Sequence, residues 1–151
     1  MPTGRANRAR RNALGRIAAA VAALGAARIV SSAERSHAKF APEKRWYEAA
    51  DSMRRLAESW GDQSYGAVLV MNGAIVGEGP SRVVQRNDPT AHAEREAIRD
   101  AQRRLGRTNL AGSVLYSTSR PCGRCEAAAA EAQVARMIYG SSLNDAGPPR
   151  P

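Results

Sequence analysis

From Pro42 onward, apolar positions recur every three or four residues: Trp46, Ala49, Ala50, Met53, Leu56, Ala57 and Trp60, with Gly61 closing the run. That spacing predicts an amphipathic helix. The pattern then changes. Tyr65–Met71 is a continuous apolar run, Asn72–Gly73 is a strong hairpin signal, and Ala74–Gly79 returns as the partner strand. Pro80–Thr90 mixes Pro, Ser, Asn and Asp and reads as a loop. Asp88 or Thr90 is placed to cap a helix from about Ala91 to Leu105, which Gly106 ends. Ser113–Ser117 reads as a buried strand. Cys122–Ala135 reads as an Ala-rich helix with Pro121 at its start, and Met137–Tyr139 as a further buried strand. Ser141–Pro151 reads as a Gly/Pro tail. The order α, β, β, α, β, α, β predicts an α/β fold in three layers, a mixed central sheet with helices on both faces.

The chain has 151 residues, 43% hydrophobic and 25% charged, enough for one globular domain. Aromatic residues are only 5%, so the core is expected to be built from Val, Ile, Leu and Ala. No stretch approaches 18 consecutive apolar residues, so no membrane span is expected. A net charge of +9 suggests a nucleic-acid binder until it is divided along the chain. Residues 1–40 hold eight basic residues and one acid, whereas residues 41–151 hold 15 basic and 13 acidic. The second stretch is nearly balanced, which argues against nucleic acid as a partner of the folded part.

The first forty residues read as a leader. Met1–Arg16 carries five arginines and no acid, and Ile17–Ala27 is small or apolar throughout. Small residues follow at Ser31, Ser32 and Ala33. Basic region, short apolar region and small-residue junction make the layout of a secretory signal. The pair Arg10–Arg11 before Asn12, Ala13 and Leu14 resembles a twin-arginine export signal. A basic, Ala-rich N-terminal helix is the plainer alternative. The domain is expected over 41–147, with 148–151 as a tail. The expected compartment is periplasmic or secreted if the leader is a signal peptide, and cytoplasmic otherwise.

Three residues suit a borderline metal: His92, Cys122 and Cys125. The C-x-x-C sits at a predicted helix start, where both sulfurs reach one point and backbone N–H groups favour thiolates. His92 lies near another helix start. Nitrogen and sulfur donors suit zinc, and three of them leave the fourth position for water, as in catalytic zinc sites. Glu94 follows His92 by two residues, about 200° around a helix, yet at a first turn both can approach one centre. A carboxylate beside such a water is placed to carry protons. Taken alone, the C-x-x-C also fits a disulfide or redox pair, and Glu94 also fits a helix-dipole residue.

His92–Ala93–Glu94 with Pro121–Cys122–Gly123–Arg124–Cys125 resembles the H-x-E…P-C-x-x-C signature of the zinc-dependent cytidine/deoxycytidylate-type deaminases. Asp88–Pro89–Thr90–Ala91 before it, Tyr65–Val70, Leu115–Thr118 and Tyr139–Gly140 resemble the branch holding guanine deaminases, fungal-type cytosine deaminases and tRNA adenosine deaminases. The resemblance runs from about Trp46 to Gly147. It implies the cytidine-deaminase-like fold, Zn2+ held by His92, Cys122 and Cys125, and Glu94 as proton shuttle. It implies hydrolytic deamination of a free nucleobase or nucleoside, such as guanine or cytosine, with ammonia released. Ser81 stands where that branch has a base-binding Asn, which makes Ser81 a substrate contact. The backbone of Ala93 and the Ser119–Cys122 turn, with Ser119 and Pro121, would line the side from which ammonia leaves. Arg120 replaces the branch's usual Glu.

The branch continues past its fourth strand, so the sheet is expected to lack the usual fifth strand and C-terminal helix. Family members are commonly dimers, and a homodimer is expected. Two other functions remain open on sequence alone. One is a tRNA-specific adenosine deaminase, against which stand the near-neutral domain and the leader. The other is a non-catalytic, zinc-binding relative of the deaminases. His37 is read as a linker residue, Trp46 and Trp60 as packing, and Arg103, Arg104 and Arg107 as a solvated helix end.

The leader carries the first prediction. Arg10→Lys with Arg11→Lys should leave the full-length protein in the cytoplasm. The parent protein should appear outside the inner membrane and begin near Arg28 or Glu34. Fractionation with N-terminal sequencing checks both; a cytoplasmic parent that keeps residues 1–27 overturns export.

Overall fold

The computed structural model describes residues 41–151, so the leader read in residues 1–40 lies outside the described part. Helix α1 spans Lys44–Ser59. Strands β1 (Gly66–Met71) and β2 (Ala74–Pro80) form the expected hairpin. Helix α2 (Ala93–Leu105), strand β3 (Val114–Ser117), helix α3 (Gly123–Glu131) and strand β4 (Arg136–Tyr139) follow. A further strand, β5, spans Asn144–Gly147.

The five strands lie in the order β2-β1-β3-β4-β5. β1 pairs antiparallel with both β2 and β3, β3 and β4 are parallel, and β5 runs antiparallel to β4. Every residue of β1 and β3 is buried, as expected of strands covered on both faces. Alternation along them divides the core. Val68, Val70, Val114, Tyr116 and Ile138 meet Trp46 and Ala50 of α1 on one face. Ala67, Leu69, Leu115 and Met137 meet Ala93, Ala97, Ile98 and Ala101 of α2 and Ala129 of α3 on the other. This is the mixed sheet with helices on both faces that the sequence pattern implies.

Why α2 lies so close to the sheet is visible in β2. A Cβ on Gly79 would stand 2.0 Å from the carbonyl oxygen of Ala93 and 2.4 Å from the nitrogen of Ala97. A Cβ on Gly77 would stand 2.2 Å from the carbonyl oxygen of Ala97. Glycine at alternate strand positions, facing alanines one turn apart, lets helix backbone rest on strand backbone. Gly66 does the same for α1, since a Cβ there would stand 2.2 Å from the carbonyl oxygen of Ala50.

The structure corrects several sequence expectations. The expected loss of the fifth strand does not hold, because part of the presumed tail is β5. Gly140 and Leu143 adopt left-handed backbone (φ 72° and 53°), the Leu143 amide donates to the Gly140 carbonyl, and the chain turns back along β4. Asn-Asp-Ala-Gly has no strand propensity of its own. Pairing, and the Arg136–Asp145 ion pair at 2.7 Å, hold it in place. α3 ends at Glu131 rather than Ala135: Gln133 turns left-handed (φ 59°) and the chain carries Val134 into the core. Neither Asp88 nor Thr90 caps α2. Asp88 instead accepts a hydrogen bond from the Thr90 amide at 2.8 Å, and His92 takes the cap position. Trp46 packs in the core, whereas Trp60 is exposed and lies under the Arg82 guanidinium. Arg103 and Arg104 are not simply solvated, for both pair with Asp100 and Arg104 also reaches Glu78.

Gly79→Ala should therefore destabilise the fold by about 1–3 kcal/mol or more, the usual cost of overpacking. Gly123→Ala, where an added methyl meets nothing, should cost much less. Thermal or urea unfolding of the two variants checks the contrast.

Candidate active site

Two helix starts meet on the α2–α3 face of the sheet. His92 is the N-cap residue of α2 and Cys122 that of α3, both with extended backbone and neither giving a side-chain cap. Their side chains are free for other work. The amides of Cys125 and Glu126 both donate to the Cys122 carbonyl at 2.9 Å, which folds the C-x-x-C around the first turn of α3. The sulfurs of Cys122 and Cys125 lie 3.5 Å apart, as free thiols. His92 Nδ1 lies 3.7 Å from the first sulfur and 3.5 Å from the second.

Those three edges test whether the donors fit a metal. A tetrahedral zinc with bonds of about 2.3 Å to sulfur and 2.0–2.1 Å to nitrogen needs donor separations of roughly 3.8 and 3.6 Å. The triangle matches to within about 0.3 Å. The three donor atoms stand within 4.8 Å of one another and form the grouping able to hold a metal among the described residues. Cys125 is buried, His92 half-buried and Cys122 exposed, so the site opens on the Cys122 side. Burial pushes the Cys125 thiol well above its ordinary range, and the nearby Glu94 carboxylate and Cys122 add to the shift. A divalent cation between the sulfurs supplies the opposing charge and favours the thiolates.

Glu94 stands in the first turn of α2 and is 5% exposed. Its Oε2 lies 3.5 Å from the Cys125 sulfur, and its Oε1 accepts a hydrogen bond of 2.8 Å from Ser117 Oγ. Ser117 lies outside both the His92–Ala93–Glu94 and the Pro121–Cys125 motifs. A signal existed: Ser117 follows Leu115 on the same strand face, the face that α2 and α3 cover, and a hydroxyl buried there needs a partner.

The loop leading to His92 is clamped by another buried acid. Glu96 is 3% exposed and pairs with Arg86 at 2.7 Å and Arg99 at 2.8 Å. Arg99 also donates to Thr90 Oγ1 at 3.2 Å. Loop and helix are thereby tied together within one turn of the metal ligand.

Ala93 is buried and begins α2, with its side chain in the core. Pro121 is buried, and it precedes the cap of α3 rather than starting the helix. Ser119 is half-buried, and its amide points to Ser117 Oγ at 3.4 Å. Ser81 joins a different group. It is fully buried, and its hydroxyl donates to Asp62 Oδ1 at 2.9 Å. Burial opposes the charge of Asp62, but amides of Gln85 and Gln63 and the Ser81 hydroxyl more than offset it and hold that carboxyl below its usual range. Ser81 thus ties the β2 exit to the loop after α1; its hydroxyl bonds to no member of the metal triad.

Comparison with known proteins places this geometry. Residues 41–141 match the family described as the cytidine and deoxycytidylate deaminase zinc-binding region. A tRNA-specific adenosine deaminase of Buchnera aphidicola (from Schizaphis graminum) is 36% identical over 100 residues, 66% of this chain and 66% of that protein. A guanine deaminase of Bacillus subtilis is 43% identical over 82 residues, 54% of this chain and 53% of that protein. The structure of the Bacillus subtilis guanine deaminase superposes with a TM-score of 0.63 at 35% identity, covering 66% of this chain and 64% of that one. The chain spans about half to two thirds of the length of these curated relatives.

The metal centre gives the next prediction. The purified protein should carry about one zinc per chain, and Cys122→Ser should remove it and lower thermal stability, because metal binding and folding are coupled. Elemental analysis beside a melting curve checks this. A metal-free parent with both cysteines oxidised would favour the redox pair instead.

Proposed function

The chain belongs to the cytidine and deoxycytidylate deaminase family, and from that membership we propose that it hydrolytically removes an exocyclic amino group from a nucleobase, taken as the free base or nucleoside. A buried carboxylate beside a three-donor metal site carries the reading: Glu94 has one oxygen held by Ser117 and the other 3.5 Å from a metal-ligating sulfur. His92, Cys122 and Cys125 are the residues that would hold zinc. Zinc held there supplies a Lewis acid that makes water nucleophilic near neutral pH.

The protein's own part is proton movement and exclusion of solvent. Glu94 takes the proton that the attacking water gives up. It delivers that proton to the ring nitrogen beside the amino-bearing carbon, then carries the second proton, from the hydroxyl now on that carbon, to the amino group; ammonia leaves and the oxygen stays as the carbonyl. The burial of Glu94 strengthens its interaction with developing charge, since little water competes for it. The backbone at Ala93 and the turn from Ser119 through Pro121 to Cys122 border the open side of the site.

A purine is the favoured base, because both named activities among the close relatives, on adenosine and on guanine, concern purines. The near balance of charge in residues 41–151 supports a small substrate. A second reading, adenosine within tRNA, draws on the similarity to tRNA-specific deaminases. It also draws on Arg120 and Arg124, exposed on either side of Cys122 and unpaired with acids among the described residues. Ammonia release from guanine, adenine, cytosine, their nucleosides and deacylated tRNA separates the two readings. Turnover of the RNA alone would reverse the preference, and turnover of none would overturn the activity.

Glu94→Gln should keep the zinc and the fold while turnover falls by about 10²–10⁴, the usual worth of a positioned acid–base group. Steady-state rates with metal analysis check it. An unchanged rate would reduce Glu94 to a helix-dipole residue.

A further inference from the structure

Glu94 touches one ligand of the metal site without being one of its three donors. Its Oε2 is 3.5 Å from Cys125 Sγ, the same separation that relates Cys125 Sγ to His92 Nδ1 and to Cys122 Sγ. Glu94 is not one of the three residues whose donor atoms all lie within 4.8 Å of one another, yet its Oε2 stands beside one of their sulfurs. Zinc accepts carboxylate oxygen readily, at about 2.0–2.2 Å. A glutamate that completed the tetrahedron would close the site and lose its capacity to carry protons. Something must keep Glu94 turned away, and burial alone does not, because burial favours pairing an anion with a cation.

The Cys125 thiol faces Oε2, and the restraint that comes from outside the metal ligands is Ser117. It is 1% exposed, and its Oγ donates to Glu94 Oε1 at 2.8 Å. Ser117 itself has little freedom. It ends β3, the middle strand of the sheet, and is paired with Ala67 on one side and Tyr139 on the other. Its carbonyl accepts from the Gly140 amide at 3.0 Å, and the Ser119 amide approaches its hydroxyl at 3.4 Å. Glu94, by contrast, projects from the first turn of a helix with its own side-chain torsions to set. A fixed donor on the sheet thus grips one oxygen of a movable acid on the helix.

We propose that Ser117 is a positioning residue whose hydroxyl holds Glu94 out of the metal's coordination, so that the fourth position stays open and Glu94 remains a proton carrier. The proposal rests on the reading of His92, Cys122, Cys125 and Glu94 given above. It assigns Ser117 no contact with substrate.

Cobalt(II) in place of zinc tests this on the full chain, because its visible absorption reports donor set and coordination number whether or not any base is turned over. Parent, Ser117→Thr, Ser117→Ala, Glu94→Gln and the Ser117→Ala/Glu94→Gln double variant are compared, each checked for thermal stability. The parent and Ser117→Thr, which keeps the hydroxyl, should give one spectrum. Ser117→Ala should give another, with slower release of metal to a chelator, as the freed carboxylate joins the ion. Adding Glu94→Gln should abolish that difference. Where a substrate has been found, Ser117→Ala should lower kcat about 10–100-fold with KM little changed, and Ser117→Thr should restore it. An unchanged spectrum and release rate in Ser117→Ala overturns the proposal. So does a change that persists with Glu94→Gln, since it would report a general disturbance of the site. If every protein binds cobalt in the proposed pattern and none releases ammonia, the positioning role stands and the deaminase reading fails.

Discussion

A methyl group on Gly79 would stand 2.0 Å from the backbone of Ala93, the residue between His92 and Glu94. The approach of α2 to β2 is therefore the constraint on which the site depends. His92 and Glu94 are fixed in height above the sheet by backbone-to-backbone contact, not by flexible side chains in between. The opposite wall is set independently, by the turn from β3 into α3 that carries Cys122 and Cys125. The triangle of donor atoms, with edges of 3.5–3.7 Å, forms where these two walls meet. The alanine-rich composition follows from the same constraint. Ala93, Ala97 and Ala101 face the sheet, where larger side chains would lift the helix.

The site concentrates groups that are costly to bury. Cys125, Glu94 and Ser117 are almost wholly removed from water, and within a few ångströms they hold a thiol, a carboxylate and a hydroxyl. Burial raises the Cys125 thiol, which marks the expense. Two converging helix starts offset part of it through their unsatisfied N–H groups, and a divalent ion offsets more. A divalent ion held there would couple stability to chemistry, since the charge that activates water would also offset the buried groups. Glu96 shows another answer to the same problem, since a buried carboxylate two residues further along α2 is met by Arg86 and Arg99 and serves the loop.

Much of this was legible in the residues. Apolar spacing located the helices, the Asn72–Gly73 turn located the hairpin, and a continuous apolar run marked β1 as a strand. The metal donors stood out because a histidine and a C-x-x-C at two helix starts have few other ways to satisfy their chemistry together. What escaped was decided by contacts between distant segments. β5 is held by its partner strand, not by its own composition. Ser81 sits where a base-binding residue was expected, but its hydroxyl turns to Asp62, 19 positions earlier. Ser117 carries no local mark of its role, which arises from an acid 23 positions away. Asp88 and Thr90 looked like helix caps because caps and tight turns draw on the same residues.

β5 also has a consequence for how the molecule meets others of its kind. The outer edge of the sheet is only four residues long, twisted by an irregularity opposite Met137 and Ile138, and followed directly by Pro148 and Pro149. Prolines offer no amide hydrogen, and short, irregular, charged margins resist templating of further strands. The sheet is thus blunted on the β5 side against the ribbon-to-ribbon accretion that leads to fibrils. A protein with so apolar a central sheet gains in solubility from a segment whose sequence alone gives no reason to form a strand.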